Sequence, residues 1–566
     1  MKTLNKSIFR CFAVTLFGIA LTSSIARADN EKLSSELRPE NMTGRRSAQS
    51  SSSRNVEVIV QYKVAPTKSH HQRVAALGGI LQAKMDFIRS AHYTVPVAAL
   101  ATLTDDPDVA YVTPNRPVKA MFDQITNDSV GSATANSLLQ SGANVGVAVI
   151  DSGVSVLPDF QGGILNLFDR VTYQQSFVGG TAADQYGHGT HVAGILAGNG
   201  NGTVYSGVGP QINIISLRVL DANGMGTDAG VIAAINAAIS LKNQFNIRVI
   251  NLSLGRPVYE SASLDPLDQA VEAAWKAGIV VVVAAGNEGR NNTAGTNGYA
   301  TITAPGNDPY VITVGCIKSN GTTTLSDDRI ASYSSKGPTL FDHYVKPDMV
   351  APGNLIVSTL PAGLTLSNEY PANRVAGNYF TLSGTSMATP VVSGAAAILI
   401  GNNFLLTPDQ IKAKLMKNAF KTPPATSVAV DPVTGISYTS YSDIFTVGAG
   451  ELNVMGALQD FTLPLFGTGV GSARSPVAVY NPTSGQVTLQ GVSGSGVVWG
   501  SSAVWGSSAV WGSSSVSGSS TVWGSSTVWG SSSMLGFSAV WGSSTVWGAS
   551  TSEASEASLL AIHGEQ

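Results

Sequence analysis

A series of apolar runs constrains this chain most. They lie at Val145 to Ile150, Ile212 to Leu220, Ile247 to Leu252, Ile279 to Val283 and Val311 to Val314, with helical stretches such as Gly230 to Phe245 and Leu267 to Ala277 between them. A strand that is apolar at every position, rather than at every second one, is buried on both faces. Such strands alternating with helices predict a parallel sheet covered by helices on both sides. The fold class expected for residues 121–457 is therefore α/β. Sheets of this kind place their sites beyond the carboxyl ends of the strands.

Polar residues stand where that rule puts a site. Asp151 ends the run Val145 to Ile150, and Asn287 follows Ile279 to Ala285 through Gly286. His188 lies in Gly187-His188-Gly189-Thr190-His191-Val192-Ala193-Gly194, ahead of a small-residue helix. Ser386 lies in Gly384-Thr385-Ser386-Met387-Ala388-Thr389-Pro390, which runs into the apolar segment Val391 to Ile400. That places Ser386 at a helix N-terminus, where unpaired backbone N–H groups and the helix dipole favour negative charge. A hydroxyl there is well sited as a nucleophile, because the oxyanion it creates meets ready donors. Each residue alone also has an ordinary reading: Ser386 as an N-cap, Asp151 as a cap or turn aspartate, Asn287 as a turn asparagine. His188 and His191 could be a metal pair, but no H-E-x-x-H glutamate and no third ligand accompany them, so His191 is read as structural.

Together, Val149-Ile150-Asp151-Ser152-Gly153, His188 to Gly194, Ala284-Ala285-Gly286-Asn287 and Gly384 to Pro390 resemble the motifs of the subtilisin-like serine proteases, the subtilases. The likeness covers roughly residues 125 to 455, and the chain order Asp-His-Ser is that of subtilisin. The resemblance implies a serine endopeptidase in which Ser386 attacks the peptide carbonyl, His188 transfers the proton and Asp151 orients the imidazole. It further implies that Asn287 donates to the oxyanion. Ser253-Leu254-Gly255 and Met225-Gly226-Thr227 match the two edge segments that sandwich an extended peptide substrate, a form of strand addition. Ala284, Ala285 and Gly286 should line the main specificity pocket, with Thr303 at its base making it shallower and suited to medium apolar side chains. Neither segment has the acidic clustering that selects basic residues. The chemistry requires no cofactor. Asp159 and Asn201, in and near the loop Asn199 to Tyr205, are candidate calcium ligands; a Gly/Asn-rich turn without an ion fits that loop equally.

The regions on either side have their own signatures. Residues 1–28 read as an export signal: Lys2, Lys6 and Arg10 precede an apolar core from Phe12 to Ala20 and the cleavage pattern Ala26-Arg27-Ala28. The apolar part is too short to span a bilayer, and no later stretch makes a transmembrane helix. The expected destination is secreted, with periplasm or cell surface as alternatives. Only Cys316 remains after removal of the signal, which excludes an intramolecular disulfide. Charged residues make up 12% of the chain, against roughly 25% in average domains, and the net charge of -3 gives no case for nucleic acid or anionic membrane as partner. Residues 29–54 are polar and Ser-rich and read as a linker. Residues 55–120 carry a β-α-β-β-α-β pattern that resembles the inhibitory propeptides of subtilases, implying that the chain's own N-terminal unit is an intramolecular inhibitor.

Residues 458–496 are β-prone, with turns at Asn481-Pro482 and Ser484-Gly485. Residues 497–549 then repeat Val-Trp-Gly-Ser-Ser every six positions, and residues 550–566 follow as a tail. Seven of the eight tryptophans fall in this repeat, with Ser517 and Leu535 in the two remaining registers. Six is a multiple of the strand period, so every Trp can face one way in a β arrangement. A β-solenoid, stacked hairpins, a tail for surface attachment or self-association, and an unstructured low-complexity segment all fit. Two function classes are thus on the table: an exported serine endopeptidase, and a surface-binding protein with an inert protease-like unit. Inert units usually lack a catalytic residue, and none is missing here.

Overall fold

The computed structural model describes residues 32–38, 55–120, 130–490 with short interruptions, 515–516 and 564–565. The expected signal segment and nearly all of the Trp repeat lie outside the described residues. The chain divides into two units, Met1–Arg116 with Leu264–Pro266, and Pro117–Ser263 with Leu267–Gln566.

The strands of the first unit are rich in valine and other apolar residues. It runs β1 (Asn55–Tyr62), α1 (Lys68–Ala76), β2 (Ile80–Met85), β3 (Ser90–Pro96), α2 (Leu100–Thr104) and β4 (Val109–Pro114). The four strands form an antiparallel sheet in the order β2-β3-β1-β4. Val58, Val60, Tyr93, Val95 and Val112 pack against Val74, Leu100 and Leu103 from the helices. Leu33 and Leu37 belong to the same core. Leu33 bridges to Val112, and the buried Arg116 guanidinium holds Glu36 at 2.7 Å. The linker reading of residues 29–54 therefore fails at 32–38: two leucines and one glutamate anchor a stretch whose overall polarity hid them.

The second unit begins with β5 (Pro117–Ala120) and continues through β6 (Gly146–Asp151), β7 (Val171–Ser176), α3 (His188–Ala197), β8 (Asn213–Arg218), β9 (Met225–Thr227), α4 (Asp228–Phe245), β10 (Ile247–Leu252) and β11 (Leu254–Gly255). Then follow α5 (Pro266–Lys276), β12 (Val280–Ala284), β13 (Ile312–Lys318), β14 (Arg329–Ile330), β15 (Met349–Pro352), α6 (Thr385–Asn402) and α7 (Pro408–Asn418). The main sheet runs β14-β13-β12-β10-β6-β8-β7, with β15 also on β13. Its pairs are parallel except β13–β14, where Ile317 faces Ile330 and the strands run antiparallel. The sheet is mixed and mostly parallel, not wholly parallel. β6, β12 and β13 are buried at every residue, which is why the sequence shows continuous apolar runs. The apolar helix α6 packs on β10, β12 and β13 and is buried from Thr385 to Ile400.

The second unit also extends past the expected boundary at 457. A hairpin of β16 (Val477–Asn481) and β17 (Gln486–Gln490) joins it through a bridge from Val477 to Tyr344, and β18 (Ser515–Val516) pairs with β17. Ser475 donates to the buried Asp348 at 2.7 Å, fixing the chain just ahead of β16.

Candidate active site

Asp151 is the last residue of β6 and Ser253 follows β10, while Ala285 to Asn287 follow β12, so three adjacent strands deliver polar groups to one edge of the sheet. Two helix N-termini complete the set: His188 opens α3 and Ser386 lies in the first turn of α6. Asp151, His188 and Ser386 are fully buried. His188 Nδ1 donates to Asp151 Oδ1 at 2.7 Å, which fixes the tautomer with the lone pair on Nε2. The same carboxylate oxygen accepts the Ser152 N–H at 2.7 Å. Ser386 Oγ donates to the Ser253 carbonyl at 3.0 Å.

Pro390 explains part of this arrangement. It has no N–H, so the carbonyl of Ser386 four residues earlier loses its helical donor. Ser253 Oγ donates to that carbonyl instead, at 2.6 Å, and itself accepts from Asn251 Nδ2 at 3.0 Å. The Ser253 side chain is thus buried and committed to holding the nucleophile's backbone.

Asn287 is oriented by its oxygen. Oδ1 accepts from Thr385 N at 2.9 Å and from Thr385 Oγ1 at 3.2 Å. The amide nitrogen, which among the described residues has no acceptor, is left to donate elsewhere. Gly286 has φ 112°, and a Cβ there would come within 2.8 Å of the Thr303 methyl carbon. Thr303 N and Oγ1 both donate to the Ala285 carbonyl, at 3.0 and 3.2 Å, so Ala284, Ala285, Gly286 and Thr303 form one contiguous wall.

The two expected edge segments also meet. β9 and β11 flank β5 in one antiparallel sheet, with Met225 opposite Lys119, Gly226 opposite Val118, and Leu254 opposite Ala120. The central position is filled by the chain's own residues 117–120. Leu254 follows Ser253, whose carbonyl accepts from Ser386, so the strand leads toward the nucleophile.

Sequence reasoning missed Asp184. Its Oδ1 accepts from Ser152 Oγ at 2.9 Å and from the N–H groups of Tyr186 and Gly187 at 3.0 and 2.8 Å; Oδ2 accepts from Thr190 N and Oγ1 at 3.0 and 2.5 Å. This buried carboxylate locks the loop after Asp151 to the start of α3, and burial pushes its pKa up. Gly189 permits the close approach, since a Cβ there would lie 2.2 Å from the Gly153 carbonyl oxygen. Its only sequence signal was an acid four residues before His188. His191 points away: Nε2 lies 3.0 Å from the Phe380 carbonyl, and burial pushes its pKa down to about 3.

Among the described residues no cluster of metal-ligating side chains is found, and the expected calcium ligands Asp159 and Asn201 sit in a hydrogen-bonded loop. The Tyr379 hydroxyl lies 2.5 Å from Asp159 Oδ1 and 2.8 Å from the Gly200 carbonyl, occupying the space between two oxygens that a cation would join. Asn199 spends Nδ2 on the Pro158 and Gln161 carbonyls and Oδ1 on the Asn201 N–H. Calcium needs six or more oxygens free to converge. Here a phenol and amide hydrogen bonds have already taken them.

Residues 142–450 match the Subtilase family over more than half of the chain. The chain belongs to the subtilase family. This subtilase is 39% identical over 332 residues to the serine protease AprX of Bacillus subtilis (strain 168), covering 57% of this chain and 72% of that one. It is 31% identical over 424 residues to subtilisin E of the same organism, covering 74% and 94% respectively. The crystal structure of fervidolysin from Fervidobacterium pennivorans, a keratinolytic enzyme related to subtilisin, superposes with a TM-score of 0.54 at 23% identity, covering 73% of this chain and 62% of that one. The subtilase is accordingly a serine protease with a subtilisin-like fold.

Proposed function

We propose that this subtilase is an exported endopeptidase that hydrolyses peptide bonds through Asp151, His188 and Ser386, with Asn287 as oxyanion donor, and that it is made as an autoprocessed precursor inhibited by its own N-terminal unit. In this mechanism Ser386 Oγ forms a bond to the scissile carbonyl carbon while its proton passes to His188 Nε2. The negative charge on the former carbonyl oxygen meets the Asn287 amide and the Ser386 N–H at the positive end of α6. The carbon–nitrogen bond then breaks as the imidazolium protonates the leaving amine, and water releases the acyl group by the same route. The observation that carries the reading is β5: an extended segment of the chain itself lies between the two edge strands, in the manner expected of a bound peptide. Its position supports cleavage near residues 118–127. The wall of Ala284 to Gly286 with Thr303 supports a shallow pocket for medium apolar side chains. Among the described residues no helix is long and apolar enough to cross a membrane.

The test is the N-terminus and intact mass of purified wild type beside Ser386→Ala. Wild type should trim itself near residue 120 while the variant stays joined to its N-terminal unit. Identical trimming of both would assign the cut to another protease and remove this support for Ser386.

A further inference from the structure

Outside the catalytic site, the second unit holds a polar pocket whose occupant comes from the same chain. Glu565 is buried. Its Oε1 accepts from Arg290 Nη2 at 2.9 Å, from the Ser332 N–H at 3.0 Å and from Ser332 Oγ, and Oε2 pairs with Lys318 Nζ at 3.1 Å. Asn354 completes the grip on the backbone: Nδ2 donates to the Glu565 carbonyl and Oδ1 accepts the Glu565 N–H, both at 3.0 Å. Arg290 is itself positioned by Ser332 Oγ at 2.6 Å, by Asp431 at 3.3 Å and by the Tyr438 ring, 4.3 Å from its guanidinium carbon. Two cations and two carboxylates therefore meet in a buried cluster. Without Glu565, Lys318 would lose its carboxylate and the cluster would keep uncompensated positive charge, which burial penalises strongly.

A second observation concerns shape. Gly564 has φ 65°, and a Cβ there would lie 2.3 Å from Leu355 Cδ2 and 2.6 Å from Ser383 Oγ. The groove accepts glycine at this position, and the charge behind it accepts an acid at the next. We propose that Arg290, Lys318, Ser332 and Asn354 form a docking site for a Gly-Glu segment, filled by Gly564-Glu565, and that this site ties the far end of the Trp-repeat region to the protease. The near end is already attached through β16 and β17. The repeat at 497–549 thus lies in sequence between two segments held by the same unit.

The test uses full-length chains in the Ser386→Ala background, so that no self-digestion intervenes, and a fluorescent synthetic peptide of residues 558–566. Adding Glu565→Lys should vacate the pocket, lower the thermal midpoint by about 4 °C and let the peptide bind saturably. The peptide should bind at least about tenfold more weakly to the Ser386→Ala chain, whose pocket is filled. Gly564→Val should act in the same direction with every charge retained. Adding Arg290→Gln to the Glu565→Lys chain should abolish peptide binding, and Lys318→Met serves if that variant fails to fold. Equal peptide binding and equal midpoints in the parent and the Glu565→Lys chain would overturn the proposal.

Discussion

Two groups of residues in the second unit were singled out by resemblance to the same family, and the structure treats them differently. Around Asp151 and Asn287, hydrogen bonds fix each group from one side: Asn287 is held through its oxygen, and among the described residues Asp151 Oδ2 has no hydrogen-bond partner. Around Asp159 and Asn199 to Asn201, Asp159 Oδ1, the Gly200 carbonyl and both ends of the Asn199 side-chain amide are engaged by Tyr379 or by the loop itself. Spent capacity makes a scaffold, whereas capacity that is positioned but unspent makes a site. Buried polar groups left unsatisfied are costly, so they persist where a reacting partner uses them.

The largest expected effect tests the unspent side. Asn287→Ala should lower kcat by about 10²–10³-fold, the range known for loss of the equivalent donor in subtilisin itself, with a much smaller change in KM. A kcat within twofold of wild type would break the comparison at its centre.

The next sharpens it, because Asp328 and Glu451 are also buried, and among the described residues no other donor reaches their carboxyl oxygens, yet they lie apart from the candidate site. They can satisfy each other only by sharing a proton. Burial raises Asp328 to about 6 and lifts Glu451 well above the usual carboxylate range, with Asp327 adding to both and Arg329 opposing at Asp328. The folded state thus keeps protons that the unfolded chain releases. The stability linked to this pair is fully present below about pH 4 and falls as pH rises through 6, on the order of 2 kcal/mol. Glu451→Gln should flatten that slope in denaturation measured from pH 4 to 8, and an unchanged slope would mean that the pair is not protonated.

The smallest effect belongs to the spent loop. Millimolar EDTA should move the wild-type thermal midpoint by less than about 1 °C, since Tyr379 and the loop's own amides engage oxygens that an ion there would need. Tyr379→Phe, which deletes the bridging hydroxyl, should cost about 1–2 kcal/mol. A large chelator effect on wild type would show that the loop holds calcium after all.

The sequence made the strands, the edge of the sheet and the four candidate site residues legible because each rests on local constraints: continuous apolar runs, glycines at close approaches, and small residues opening helices. What stayed hidden depends on contacts between distant parts of the chain. Tyr379 reaches an aspartate 220 positions away, and Glu565 an arginine 275 positions away. Neither has a local pattern that marks it. Leu33 and Leu37 were masked for a different reason, since two apolar residues in a polar stretch show no period. Asp184 looked like any surface acid until its five donors were seen.

The strand β5 carries one more consequence. While it remains joined to the chain, it competes for its own groove at an effective concentration on the order of millimolar. Were the chain cut beyond it, as proposed, the same contacts would become an ordinary bimolecular equilibrium, and dilution alone would favour the open groove. A freshly processed sample should therefore be more active per molecule when thin than when concentrated, and the crowding of its surroundings would act as the timer of its release.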